Sequence, residues 1–184
     1  MKNKEIILGI SASIAIYKAC MLMRRLKEEG FSVTIVMTPR AKEFIKPLLF
    51  ERLSENKVYS ELFSNNYDYK IEHISLAEKA DLVLLAPATA DLIGRIASGI
   101  ADDLLTSLVM STKTPVWICP AMDENMYKNK IVQQNIKKLK SYGYKFIGPE
   151  KGKLASGKIG FGRMADVEAI VKEVKKYFEK IKSV

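Results

Sequence analysis

Four short runs of uninterrupted apolar sequence recur along this chain: EIILGI over 5–10, SVTIVM over 32–37, DLVLLA over 81–86 and PVWIC over 115–119. Continuous rather than alternating hydrophobicity means that both faces of each strand are covered, as in a parallel sheet with helices on either side. Residues 145–147 supply a fifth strand. Between the runs, helical periodicity extends over 13–29, 41–53, 90–98, 102–110, 130–141 and 166–180. Strand and helix in turn predict a doubly wound, Rossmann-like (flavodoxin-like) α/β fold with ligands at the carboxyl ends of the strands.

The length of 184 residues, 48% of them hydrophobic, is enough for one well-buried core and short for two. The formal charge of +9 is spread over helical segments, as at Lys172, Lys175, Lys176, Lys180 and Lys182, without interleaved aromatics. That pattern reads as a solvated surface rather than a nucleic-acid interface, and excess positive charge also suits phosphorylated ligands. The two cysteines, Cys20 and Cys119, have no metal-ligand spacing and fit reduced thiols in a cytoplasmic protein. No apolar run approaches the roughly 20 residues that cross a bilayer, and the lone His73 anchors no zinc site by itself. The least structured stretch is the polar loop over 64–70.

Two segments carry chemistry. The turn after the first strand, GISASIAIYK over 9–18, sets small residues and the hydroxyls of Ser11 and Ser13 at a helix start, where free N–H groups and the helix dipole favour phosphate. A serine there equally serves as a simple N-cap. The spacing lacks G-x-G-x-x-G, which disfavours NAD. Thr38 closes the second strand, and Thr89 and Ser107 follow the third, so hydroxyls converge on one crevice suited to a mononucleotide. Near the end, KLASGKIGFGRM over 153–164 is too glycine-rich for a helix and too basic for burial, and reads as a mobile flap over something anionic.

The blocks PATADLI, GIADDLL, PAMDENMY and GKIGFGRM together resemble the flavin-dependent cysteine decarboxylases, over nearly the whole chain from Gly9 to Met164. The resemblance implies FMN held by Ala12, Ser13, Ile14, Thr38, Thr89, Ala90, Asp91, Leu92 and Ala121. It also implies residues 1–184 as one FMN-binding decarboxylase domain with residues 151–164 as the substrate flap, although bifunctional bacterial members carry a further ligase domain. In such enzymes the flavin oxidises the thiol-bearing carbon to a thioaldehyde, which then accepts the electrons released with carbon dioxide. The coenzyme A branch, acting on 4′-phosphopantothenoylcysteine, returns a hydride and a proton to give the saturated product; the peptidyl-cysteine branch releases an enethiol. Some relatives are non-catalytic flavoprotein regulators, and the flavin prenyltransferases share the architecture without these motifs.

By the same likeness His73 is the catalytic base, of a type whose ordinary pKa of about 6.5 suits proton transfer at neutral pH. Lys153, Ala155 and Asp123 hold the substrate, and Ser156 occupies the place of the proton donor. The family's histidine and flap reach a flavin on a neighbouring subunit, which implies a homotrimer or a dodecamer built from trimers. The chain departs from the pattern at three positions: Asp123 stands for Asn, Tyr127 for Trp and Ser156 for the flap Cys. A thiol of pKa about 8.5 gives up a proton where an alcohol does not. The expectation is therefore that Asp123, protonated in the complex, supplies or relays the proton through Ser156.

Overall fold

The computed structural model describes residues 4–63 and 72–182; the polar loop expected over 64–70 lies outside the described residues. Six parallel strands form the main sheet: β1 (Glu5–Ile10), β2 (Ser32–Met37), β3 (Val58–Tyr59), β4 (Leu82–Ala88), β5 (Val116–Pro120) and β6 (Lys145–Phe146). Their order is β3-β2-β1-β4-β5-β6, so the direction of winding reverses between β1 and β4. At that reversal the flanking connections leave in opposite directions and open a crevice beyond the strand ends.

The expected doubly wound α/β architecture is the one observed. Every residue of β1 and β4 is buried, as their unbroken apolar runs require. One face carries α1 (Ile16–Glu28), α2 (Pro47–Ser54) and α8 (Val167–Lys182), whose Leu22, Leu26, Phe50, Ile170 and Val174 pack with Ile6, Leu8 and Ile35. The other carries α3 (Glu72–Lys79), α4 (Ala90–Ala97), α5 (Leu104–Ser111) and α7 (Lys130–Ser141), whose Leu76, Ile93, Leu105 and Leu139 pack with Ile7, Val36 and Ile118. Among the described residues, no helix is long and apolar enough to cross a membrane.

Local differences from the sequence reading have local causes. The helix expected over 41–53 is a 3-10 turn at Pro39–Glu43 followed by α2, because Pro47 cannot continue a helix yet starts one well at its first position. The first helix begins at Ile16 rather than Ser13. A short helix, α6 (Glu124–Lys128), follows β5. The glycine-rich segment is neither helix nor plain loop: β7 (Glu150–Lys153) and β8 (Ile159–Arg163) form an antiparallel hairpin.

Candidate active site

A cavity of about 810 Å³ opens at the carboxyl ends of β1, β4 and β5, beside the winding reversal. Its floor is made by three strand-to-helix turns. After β1 come Ala12–Ala15, where α1 starts with no side chain capping it; the Ile16 and Lys18 N–H groups donate to the Ser13 and Ala15 carbonyls at 3.0 and 2.9 Å, and the positive end of the helix dipole lies at the cavity. After β4 come Thr89 and Ala90; Thr89 caps α4, its Oγ1 accepting from the Leu92 N–H at 3.2 Å. After β5 come Ala121, Met122 and Asp123.

These turns are tied to one another. The Ser11 hydroxyl donates to the Pro87 carbonyl at 2.8 Å and accepts from the Thr89 N–H at 3.0 Å, so its proton is committed and it serves the scaffold rather than a ligand. The Ala121 N–H donates to the Ala88 carbonyl at 2.9 Å. Ser13 lines the cavity, and its Oγ accepts from the Ala15 N–H at 3.2 Å, ahead of the first helical residue, so it is not the cap of α1. Behind the floor, Arg95 gathers Asp91, Asp102 and Asp103, with Asp103 in turn forming a capping box with Thr106 at the start of α5. The block GIADDLL thereby fixes the α4–α5 connection.

The cover is the β7–β8 hairpin. Gly162 packs so closely on the β5–α6 turn that a Cβ there would lie 2.1 Å from the Met122 carbonyl oxygen, and its own carbonyl accepts from the Met122 N–H at 2.9 Å. The Phe161 N–H donates to Glu124 Oε1 at 3.1 Å. Lys128 and that N–H together hold the Glu124 carboxyl below its ordinary range. The hairpin brings Lys153, Ala155, Ser156 and Arg163 to the cavity, facing Ala12–Ala15 and Asp123. Asp123 is the N-cap of α6, its Oδ1 accepting from the Asn125 N–H at 2.8 Å. Asn and Asp make that bond equally well, which explains why either residue suits this turn.

Of the residues expected at the site, Ala12, Ser13, Ile14, Thr89, Ala90, Ala121, Asp123, Lys153, Ala155 and Ser156 line this one cavity. Four others do not. Thr38 is buried at the end of β2, Asp91 turns to Arg95, and the Leu92 side chain lies in the core under α4. His73 sits in the first turn of α3, the helix leading into β4 on the other face of the sheet. Neither thiol lines the cavity; Cys119 is fully buried, which pushes its pKa far up, and burial also raises that of Cys20. Neither stands in for a flap cysteine. Residues the sequence reading passed over also line the cavity: Tyr17, Lys18, Phe44, Met126 and Arg163. Lys18 had a signal, since it shares the buried stripe of α1 with Ala19 and Leu22.

Small alanines on three turns beside apolar Ile14, Tyr17, Phe44 and Met122 leave a space for a flat ring, with a helix start and Ser13 available to a phosphate. The sequence pattern of the family described as Flavoprotein matches residues 1–179. The chain belongs to that flavoprotein family. The "Coenzyme A biosynthesis bifunctional protein CoaBC" of Bacillus subtilis is 44% identical over 178 residues, 97% of this chain and 44% of that protein. The chain thus spans under half the length of such bifunctional relatives. The "Probable phosphopantothenoylcysteine decarboxylase" of Streptococcus mutans is 43% identical over 94% of this chain and 97% of its own length. Among solved flavoproteins, a cysteine-to-serine mutant of PPC decarboxylase complexed with pantothenoylaminoethenethiol superposes with a TM-score of 0.85, at 28% identity, over 97% of this chain and 100% of that one.

Proposed function

We propose that this flavoprotein is an FMN-dependent decarboxylase that converts 4′-phosphopantothenoylcysteine to 4′-phosphopantetheine in coenzyme A synthesis. One observation carries the reading: a single cavity joins an uncapped helix start and small-residue floor, suited to the flavin, to a basic hairpin carrying Lys153, Ala155 and Ser156 opposite Asp123. The relatives named for this chemistry match along almost the whole chain.

Ala12, Ser13, Ile14, Thr89, Ala90 and Ala121 would hold FMN, its phosphate at the start of α1. Bound FMN supplies a reversible two-electron acceptor for the thiol-bearing carbon of the substrate, without which loss of carbon dioxide leaves electrons with nowhere to go. The protein's own groups do the rest. Lys153 and Arg163 give the cavity a positive wall for an anionic substrate. Asp123 uses Oδ1 to cap α6, so Oδ2 is the oxygen that exchanges a proton in the cavity, passing it through the Ser156 hydroxyl to the substrate carbon. The hairpin excludes water while it is closed.

His73 completes the site from a neighbouring copy, acting as base toward that copy's substrate. The cavity mouth supports this part of the reading: Ile14, Tyr17 and Phe44, which line it, are each more than half exposed, an apolar rim that another subunit would cover. The assembly proposed is a trimer, alone or gathered into a dodecamer.

The test incubates the FMN-loaded protein with 4′-phosphopantothenoylcysteine and, side by side, with a peptide ending in cysteine. Release of 4′-phosphopantetheine from the first substrate alone is expected. Turnover of the peptide alone would replace this reading with a peptidyl-cysteine decarboxylase, which the serine at position 156 favours. A protein that stays colourless in saturating FMN would end both.

A further inference from the structure

One buried charge has no part in the chemistry above. Lys18 lies in the first turn of α1, only 7% exposed, and Nζ donates to the Met164 carbonyl at 2.9 Å. Burial and nearby Arg163 lower its pKa, while Asp166 and Glu150 pull it up. A buried ammonium is costly unless held by partners, and these belong to one place: Glu150 opens β7, Arg163 closes β8, and Met164 and Asp166 follow it. The foot of the hairpin is closed by a further bond, from the Asp166 N–H to Glu150 Oε1 at 3.0 Å. The opposite wall grips the same strand through the Met122 N–H to the Gly162 carbonyl and through Glu124 to the Phe161 N–H. Beyond these grips the tip is closed on itself, the Leu154 N–H donating to the Lys158 carbonyl and the Gly157 N–H to the Leu154 carbonyl.

We propose that Lys18 is a positioning residue: through the Met164 carbonyl its ammonium sets the height at which the hairpin carries Lys153, Ala155 and Ser156 above the cavity. This rests on the reading of the hairpin as the substrate-holding element. The helix whose start faces the proposed flavin phosphate site thereby also holds the foot of the cover.

Hydrogen exchange followed by mass spectrometry tests this in the FMN-loaded protein, comparing peptides that cover 150–163 with peptides that cover β1 and β2. A charged hydrogen bond of this kind predicts that Lys18→Met speeds hairpin exchange by roughly ten- to a hundredfold while the sheet is unchanged. Lys18→Arg, which keeps a cation within reach of the carbonyl, restores the slow exchange. KM for the cysteine substrate rises in Lys18→Met by more than kcat falls. Hairpin exchange as slow as in the parent protein overturns the proposal; so does equal acceleration in the sheet, or failure of the arginine to rescue. Should Lys18→Met not fold, Lys18→Gln, with a shorter neutral donor, carries the same prediction. The exchange measurement needs no substrate, so it stands or falls apart from the identity of the cysteine compound.

Discussion

Replacing Gly162 with alanine should separate cover from floor. Gly162 has φ +140°, a region that only glycine enters freely, and the new Cβ would lie 2.1 Å from the Met122 carbonyl oxygen, which is backbone and cannot swing aside. Relief requires the hairpin to lift, breaking the 2.9 Å bond from the Met122 N–H to the Gly162 carbonyl. The bond contributes about 1 kcal/mol and the backbone strain about 1–3 kcal/mol, together roughly 2–4 kcal/mol against the docked hairpin. At about 1.4 kcal/mol per decade this predicts a fall in kcat/KM of roughly 30- to 1000-fold. Flavin affinity should change far less, because the added Cβ meets Met122 and Asp123, while Ala12, Ser13, Ile14, Thr89 and Ala90, proposed to face FMN, lie on the β1 and β4 turns. Gly157→Ala is the control: it too has positive φ, +80°, but nothing lies within 4 Å of the added Cβ, so only the local backbone cost of about 1 kcal/mol applies. Steady-state kinetics beside a flavin fluorescence titration give the answer. A Gly162→Ala protein within threefold of the parent in kcat/KM would refute the account of a hairpin docked through this glycine.

Asp123→Asn keeps the α6 cap but removes the carboxyl proton, so mass analysis should find an enethiol, two hydrogens lighter than the saturated product; saturated product would exclude the relay. Ser156→Cys should return saturated product to that variant, read by the same mass difference. Arg95→Met strands the largely buried Asp103 and should cost about 2 kcal/mol, lowering Tm by roughly 4–8 °C in thermal denaturation; a change under 2 °C would contradict it. The Glu124 grip on Phe161 follows pH: its carboxyl is held below the ordinary 4.5, so its contribution is complete above that value and lost as pH falls through the lower folded value. Hairpin exchange, corrected for intrinsic pH dependence, should speed up in that acid range, and Glu124→Gln should flatten the response.

The buried strands were the most legible part of the chain, because β1 and β2 state their burial on both faces in six and five consecutive residues. Helix α7 was equally plain, its apolar stripe running from the Asn129 cap to Ser141. By contrast α3 was missed: eight residues with Leu76 and Ala77 as their buried anchors carry too little periodicity to be read without their packing against the sheet. The hairpin was missed for a related reason. EKGK has no apolar residue to announce a strand, and what makes it one is the partner strand and the anchors at Met122, Glu124 and Lys18. The composition of the site was largely written in its motifs. Its charge arrangement was not, since a lysine inside a helical stripe declares its role only when the chain that returns 146 residues later supplies the carbonyl.

The Ser11 stitch has an evolutionary consequence. By lacing the two central turns to each other, it braces the turns proposed to face the flavin without any bond to the hairpin tip. Descendants of such a scaffold are free to trade one acid for another by rewriting the tip from Leu154 to Lys158, keeping an unaltered electron reservoir underneath.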